Sequence, residues 1–145
     1  MKKLMLISVG ILAVVAFFAF RPNARTVNEE VVFNAGDKVE VYYFHFARRC
    51  VTCLAVENKT REAISALYPE EYSKGLITFS SVNLEDEKSK PVAERADVTG
   101  QALIIMSGEY RKDLTAEGFM YANNNFEKLK SEIKKVMDPL VKDFK

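Results

Sequence analysis

The sequence predicts an α/β fold, and three observations carry that prediction. Runs rich in β-branched and aromatic residues, such as Val39 to His45, alternate along the chain with segments of helical spacing. The only two cysteines stand as Cys50-Val51-Thr52-Cys53 where one such strand gives way to a helix. The last stretch repeats apolar residues at spacings of three and four (Phe126, Leu129, Ile133, Val136, Met137, Leu140, Val141, Phe144), the pattern of a helix packed on a sheet.

The elements follow in order. Met1-Lys2-Lys3 precedes Leu4 to Phe20, an uncharged apolar run of 17 residues, near the lower limit for a helix that spans a bilayer. Residues 1–25 therefore read as a signal peptide or an uncleaved signal anchor, one N-terminal hydrophobic helix ahead of a domain over residues 26–145. The stretch Phe17-Phe18-Ala19-Phe20-Arg21-Pro22-Asn23-Ala24 is a poor match to a cleavage site, which favours the anchor. No cysteine before Cys50 offers a lipidation site. Lys2 and Lys3 argue for a cytoplasmic N-terminus, although Arg21 and Arg25 blunt that signal.

Thr26 to Glu30 reads as a polar linker, and Val31-Val32-Phe33 as a short leading strand closed by the turn Asn34-Ala35-Gly36-Asp37. After the core strand Val39 to His45, Leu54 to Leu67 has helical spacing. Its apolar Val56, Ala63, Ile64 and Leu67 face one way; Glu57, Lys59, Arg61 and Glu62 largely face another. Pro69 and Gly75 bracket a loop or ragged helix end, and Leu76 to Asn83 alternates as a second strand. Ser89-Lys90-Pro91 looks like a cap and first-turn proline for a short helix to about Ala96. Ala102 to Met106 is a buried third strand. Ser107-Gly108-Glu109 turns it into a fourth, from Tyr110 to Leu114 or as far as Met120. Pro139 is expected to kink or interrupt the final helix.

All 20 acidic residues lie beyond Arg25, against 17 of the 21 basic ones, so residues 26–145 carry a net −3 with the signs mixed. A mildly acidic domain without a Lys/Arg stripe is a poor nucleic-acid binder. Nothing points to a nucleic-acid partner or to more than a monomeric domain. Two cysteines in an exported domain sit where disulfides persist.

At a helix start, unpaired backbone N–H groups and the helix dipole favour a thiolate over a thiol. Cys50, nearer the helix start, is expected to attack, and Cys53, a turn deeper, to resolve the mixed disulfide. Arg48 and Arg49 place two fixed positive charges beside Cys50 and lower its pKa further. The competing reading is an inert local disulfide or a pair of packed thiols. His45 is the only histidine: it serves as a base or a third ligand, or is simply a buried histidine bonded to backbone. Cys50, Cys53 and His45 fall one ligand short of a structural zinc site, so no resident metal or other cofactor is assigned. Glu85-Asp86-Glu87 reads as a solvated loop, since its spacing suits no calcium loop. The six tyrosines read as core and rim packing.

The order of strand, C-x-x-C helix, strand, helix, strand, strand, helix resembles the thioredoxin-like superfamily over about Val31 to Lys145. The resemblance implies a three-layer fold, a central mixed sheet flanked by helices, and a redox-active dithiol. Three departures accompany it. The family's Trp-Cys-Gly-Pro-Cys is replaced by Arg48-Arg49-Cys50-Val51-Thr52-Cys53, and the buried acid six residues before the first cysteine falls on Phe44. The proline that usually faces the dithiol falls on Ala102 or Gln101, which places those two residues in the substrate groove. A non-proline residue there keeps a trans bond, since the cis form costs about 2.5–4 kcal/mol. More narrowly, Tyr42-Tyr43-Phe44-His45, Arg48-Arg49-Cys50 and Cys53-Leu54-Ala55-Val56-Glu57 resemble small envelope proteins of anaerobic bacteria, some described as nitrophenyl-arsenical nitroreductase subunits.

Three functions remain open. The first is a thiol–disulfide oxidoreductase of the cell envelope, anchored in the inner membrane or exported, its domain facing the periplasm. Its partner is a protein or small-molecule thiol or disulfide. The second is a module whose dithiol holds a soft ion such as Cu(I) or As(III), in the space left by the missing proline. The third is a redox-silent scaffold subunit.

Overall fold

The computed structural model describes residues 36–142 and residue 144. The expected N-terminal helix and the leading strand at residues 31–33 lie outside the described residues. Among the described residues no helix is long and apolar enough to cross a membrane. The described residues all belong to one compact unit, Val31–Lys145.

Strand β1 (Val39–His45) is buried on both faces and leads into α1 (Val51–Leu67) and a short α2 (Pro69–Ser73). Then come β2 (Ile77–Asn83), a single 3-10 turn at Glu87–Ser89, α3 (Lys90–Arg95), and the hairpin of β3 (Ala102–Ser107) and β4 (Tyr110–Asp113). Helices α4 (Thr115–Tyr121) and α5 (Phe126–Val141) close the chain. The sheet order is β2-β1-β3-β4, with β1 parallel to β2 and antiparallel to β3, and β4 antiparallel to β3. Among the described residues this is an α/β domain on a mixed four-stranded sheet.

The period of two along β1 sorts its side chains between two cores. Val39, Val41 and Tyr43 join Ile77, Leu103 and Ile105 against Val56, Ala63 and Ile64 of α1 and Leu129, Ile133, Met137 and Leu140 of α5. Tyr42 and Phe44 join Val82, Ile104 and Met106 against Ala93 and Ala96 at α3. Helices thus cover both faces of the sheet. A central strand buried on both faces is largely apolar, which is why residues 41–44 of β1 and 102–106 of β3 read as continuous runs. The edge strand β4 carries Arg111, Lys112 and Asp113, exposed charges that discourage pairing with another chain.

Two elements differ from expectation. The fourth strand ends at Asp113, and Thr115–Tyr121 is helix rather than strand. Asp113 Oδ1 accepts the Thr115 N–H at 2.8 Å, turning the chain, and Thr115 Oγ1 accepts the Leu103 N–H at 3.0 Å. Gly118 then lies so close to Val56 and Leu103 that an added Cβ would sit 3.2 and 3.3 Å from their methyl carbons. Pro139 sits inside α5 without ending it. It is exposed while its neighbour Leu140 is buried, so the carbonyl it leaves unbonded is on the wet side.

Candidate functional site

The site is built where β1 ends. The chain leaves β1 at His45, whose carbonyl accepts the Leu84 N–H at 2.8 Å, and Glu85 Oε2 accepts the Ala47 N–H at 2.8 Å. These two bonds fix the loop that delivers Cys50 to the N-cap of α1. Glu85, expected in a merely solvated loop, has this definite task. Cys50 has extended backbone, its carbonyl accepts the Leu54 N–H at 3.0 Å, and its Sγ accepts the Cys53 N–H at 3.1 Å. Sulfur thus occupies the place of the serine or aspartate oxygen that usually caps a helix. Asn123 Nδ2 donates to Thr52 Oγ1 at 3.0 Å, tying the segment after α4 to this first turn.

Cys50 and Cys53 form a disulfide, with Cα atoms 5.1 Å apart. The two sulfurs are unequal in setting: Cys50 is exposed, whereas Cys53 is 3% exposed. An open cleft of about 480 Å³ beside them is lined by Arg48, Arg49, Cys50, Cys53 and Gln101. Gln101 arrives from the loop before β3 and sets its amide against Cys53 Sγ, Nε2 at 3.6 Å and Oε1 at 3.8 Å. Its neighbour Ala102 does not line this cleft; it is buried in β3 opposite Phe44. Among the described residues no peptide bond is cis. Phe44 is itself wholly buried in the apolar cluster under α3.

The two arginines have different surroundings. Arg49 donates to Glu57, lies over the Tyr43 ring at 5.5 Å, and is largely covered. Glu57 also accepts from Arg61 at 3.0 Å. Burial pushes the Glu57 carboxyl up, but hydrogen bonds from Arg49 and Ser81, with the charges of Arg49 and Arg61, outweigh it and hold the group below its ordinary value. Arg48 is exposed and, among the described residues, has no ion pair. Glu57 was expected on the solvent side of α1, yet only 13% of its side chain is exposed. The signal was its place four residues after Cys53, on the stripe that continues to the buried Thr60 and Ile64.

His45 stands apart. It is buried at the end of β1, stacks on Tyr43 at 5.9 Å, and its Nδ1 lies 2.9 Å from the Phe46 carbonyl, a contact it makes as donor. Among the described residues no three His, Cys, Asp or Glu side chains gather as a metal-ligand set. Exposed apolar side chains also cluster in sequence about the disulfide. Of the four large hydrophobic residues exposed among the described residues, Phe46, Val51 and Leu54 lie within four positions of Cys50, and Val51 is 80% exposed.

No family model and no curated protein matches the chain. Among solved structures, the chain is similar to one described as "Structure of a malarial protein", at 20% identity, covering 66% of this chain and 96% of that one. The TM-score is 0.39, too loose a likeness to bear on the site.

Proposed function

We propose that this chain is a thiol–disulfide oxidoreductase of thioredoxin-like architecture, working through Cys50 and Cys53. The observation that carries the reading is the inequality of the two sulfurs at the start of α1. An exposed Cys50 that already accepts a helix N–H is the sulfur an incoming thiolate reaches. The same N–H stabilises the Cys50 thiolate once the bond opens. The order β2-β1-β3-β4, with a C-x-x-C after the central strand, supports the architecture. The apolar rim of Phe46, Val51 and Leu54 favours a protein partner over a small disulfide, because such surface is buried only against something large. Residues 4–20 would hold the domain at the cell envelope, where such exchange is sustained.

The test is alkylation of the reduced full chain, with the modified cysteine mapped by mass spectrometry as pH is raised. Cys50 should react well below the pH at which a free thiol does, with Cys53 far behind. In Cys53→Ser, a mixed disulfide with the partner should accumulate on Cys50. Equal reactivity of the two cysteines would overturn the reading. A second reading, capture of Cu(I) or As(III) by the reduced pair, is favoured by the open cleft beside both sulfurs. Stoichiometric binding lost in both Cys50→Ser and Cys53→Ser, without exchange, would select it.

A further inference from the structure

We propose that Gln101 stabilises Cys53 as the leaving group of the exchange, a task that rests on the redox reading above. Cys53 is 3% exposed, so a charge arriving on its sulfur loses almost all hydration. Burial without a donor would raise its pKa and make it a poor leaving thiolate. Its own N–H is already engaged with Cys50 Sγ. Among the described residues the one side chain whose polar atoms reach Cys53 Sγ is Gln101, at 3.6 and 3.8 Å, distances suited to the larger radius of sulfur. Both ends of the amide are within reach, so either orientation keeps an N–H beside the sulfur and an acceptor oxygen near it. The N–H serves the disulfide and the thiolate; the oxygen serves the protonated thiol.

The step balances as follows. A partner thiolate attacks Cys50 Sγ and forms a partner–Cys50 disulfide. The Cys50–Cys53 bond breaks, and its electron pair goes to Cys53 Sγ, which becomes a thiolate facing Gln101 Nε2–H. A second partner thiolate then attacks the partner sulfur of that mixed disulfide and releases Cys50 as a thiolate. Two partner thiolates are oxidised to one partner disulfide, and the protein's disulfide is reduced to two thiolates. Gln101 neither gives nor takes a proton. It makes a hydrogen bond that strengthens as charge develops, which is the condition for lowering a barrier rather than only binding.

The experiment uses the full chain carrying Cys50→Ser, in which Cys53 is the only thiol, and follows its thiolate absorbance against pH. Gln101→Met keeps size and removes the amide; it should raise the Cys53 pKa by about one unit, an about tenfold loss of thiolate at fixed pH. Gln101→Glu keeps the shape and adds a carboxylate, and should raise the pKa further by like-charge repulsion. In the two-cysteine protein both changes should slow attack by a small thiol on the disulfide, in the same order. A Cys53 pKa unmoved in the folded Gln101→Met variant would overturn this inference even if exchange is brisk and the Glu variant shifts. Absence of exchange in the wild type, with the pKa shifts intact, would overturn the redox reading and leave the Gln101–Cys53 coupling standing.

Discussion

The Arg49 guanidinium donates to Glu57, which also holds Arg61, so most of its charge is cancelled within a covered cluster. Arg48, exposed and without an ion pair among the described residues, keeps its full charge at the mouth of the cleft. The adjacent arginines should therefore separate on mutation. Arg48→Gln should raise the Cys50 pKa by about half a unit, a modest shift because the charge is screened by solvent, and leave stability unchanged. Arg49→Gln should lower stability by about 1–3 kcal/mol by stripping a half-buried carboxylate of its main partner, with less effect on Cys50. Alkylation rate against pH checks the first, and urea denaturation the second. Because the Glu57 carboxyl is held below its ordinary value, the stability it contributes is present above the usual carboxylate range and lost on acidification.

Between elements, β1 is tied to α3 by Glu40, which accepts from Arg95 at 2.7 Å and from the Tyr42 hydroxyl at 2.9 Å. Arg95 holds the Glu40 carboxyl at about 2 against an ordinary 4.5, despite partial burial acting the other way. Between those two values the unfolded chain binds the extra proton, so stability should fall as pH drops from 4.5 towards 2. Glu40→Gln should flatten that limb, as read from urea midpoints across the acid range. The contact of α4 with α1 and β3 depends on Gly118. Alanine there gains about 0.5–1 kcal/mol of helix propensity but must push two methyl groups aside, so the two effects nearly cancel. Gly118→Val adds bulk without that gain and should destabilise by about 2 kcal/mol, a shift visible in thermal unfolding.

For the whole domain, the disulfide closes a loop of sequence separation 3, so it removes little freedom from the unfolded chain. Its loss should cost about 2 kcal/mol or less, and the two cores do not depend on it. Reduced protein should keep its far-ultraviolet circular dichroism and unfold cooperatively, as a dithiol that cycles requires. If residues 4–20 anchor the domain, protein from cells should stay in the membrane fraction through a high-salt wash. Release as a soluble species beginning near Arg25 would identify a cleaved signal instead.

Local sequence marked out the elements with strong periodic or compositional signals. The strands β1, β2 and β3, the C-x-x-C helix and the amphipathic α5 were legible because each buries an apolar stripe of its own. The dithiol was legible because its chemistry lies within four consecutive residues. The rest depends on contacts between segments distant in the chain. Short α4 looked like strand because its seven residues hold only two turns, and its helical form depends on Asp113, Leu103 and Val56. Glu57 looked solvated because its partners, Arg49 and Ser81, come from other segments. Gln101 lies 48 residues from Cys53; the family resemblance left the place facing the dithiol to Gln101 or Ala102, and only the folded sheet puts the Gln101 amide beside that sulfur and Ala102 in the core. Period and composition record how a segment is buried; they carry no record of which distant polar atom it meets, since that is fixed only when the sheet brings the two loops together.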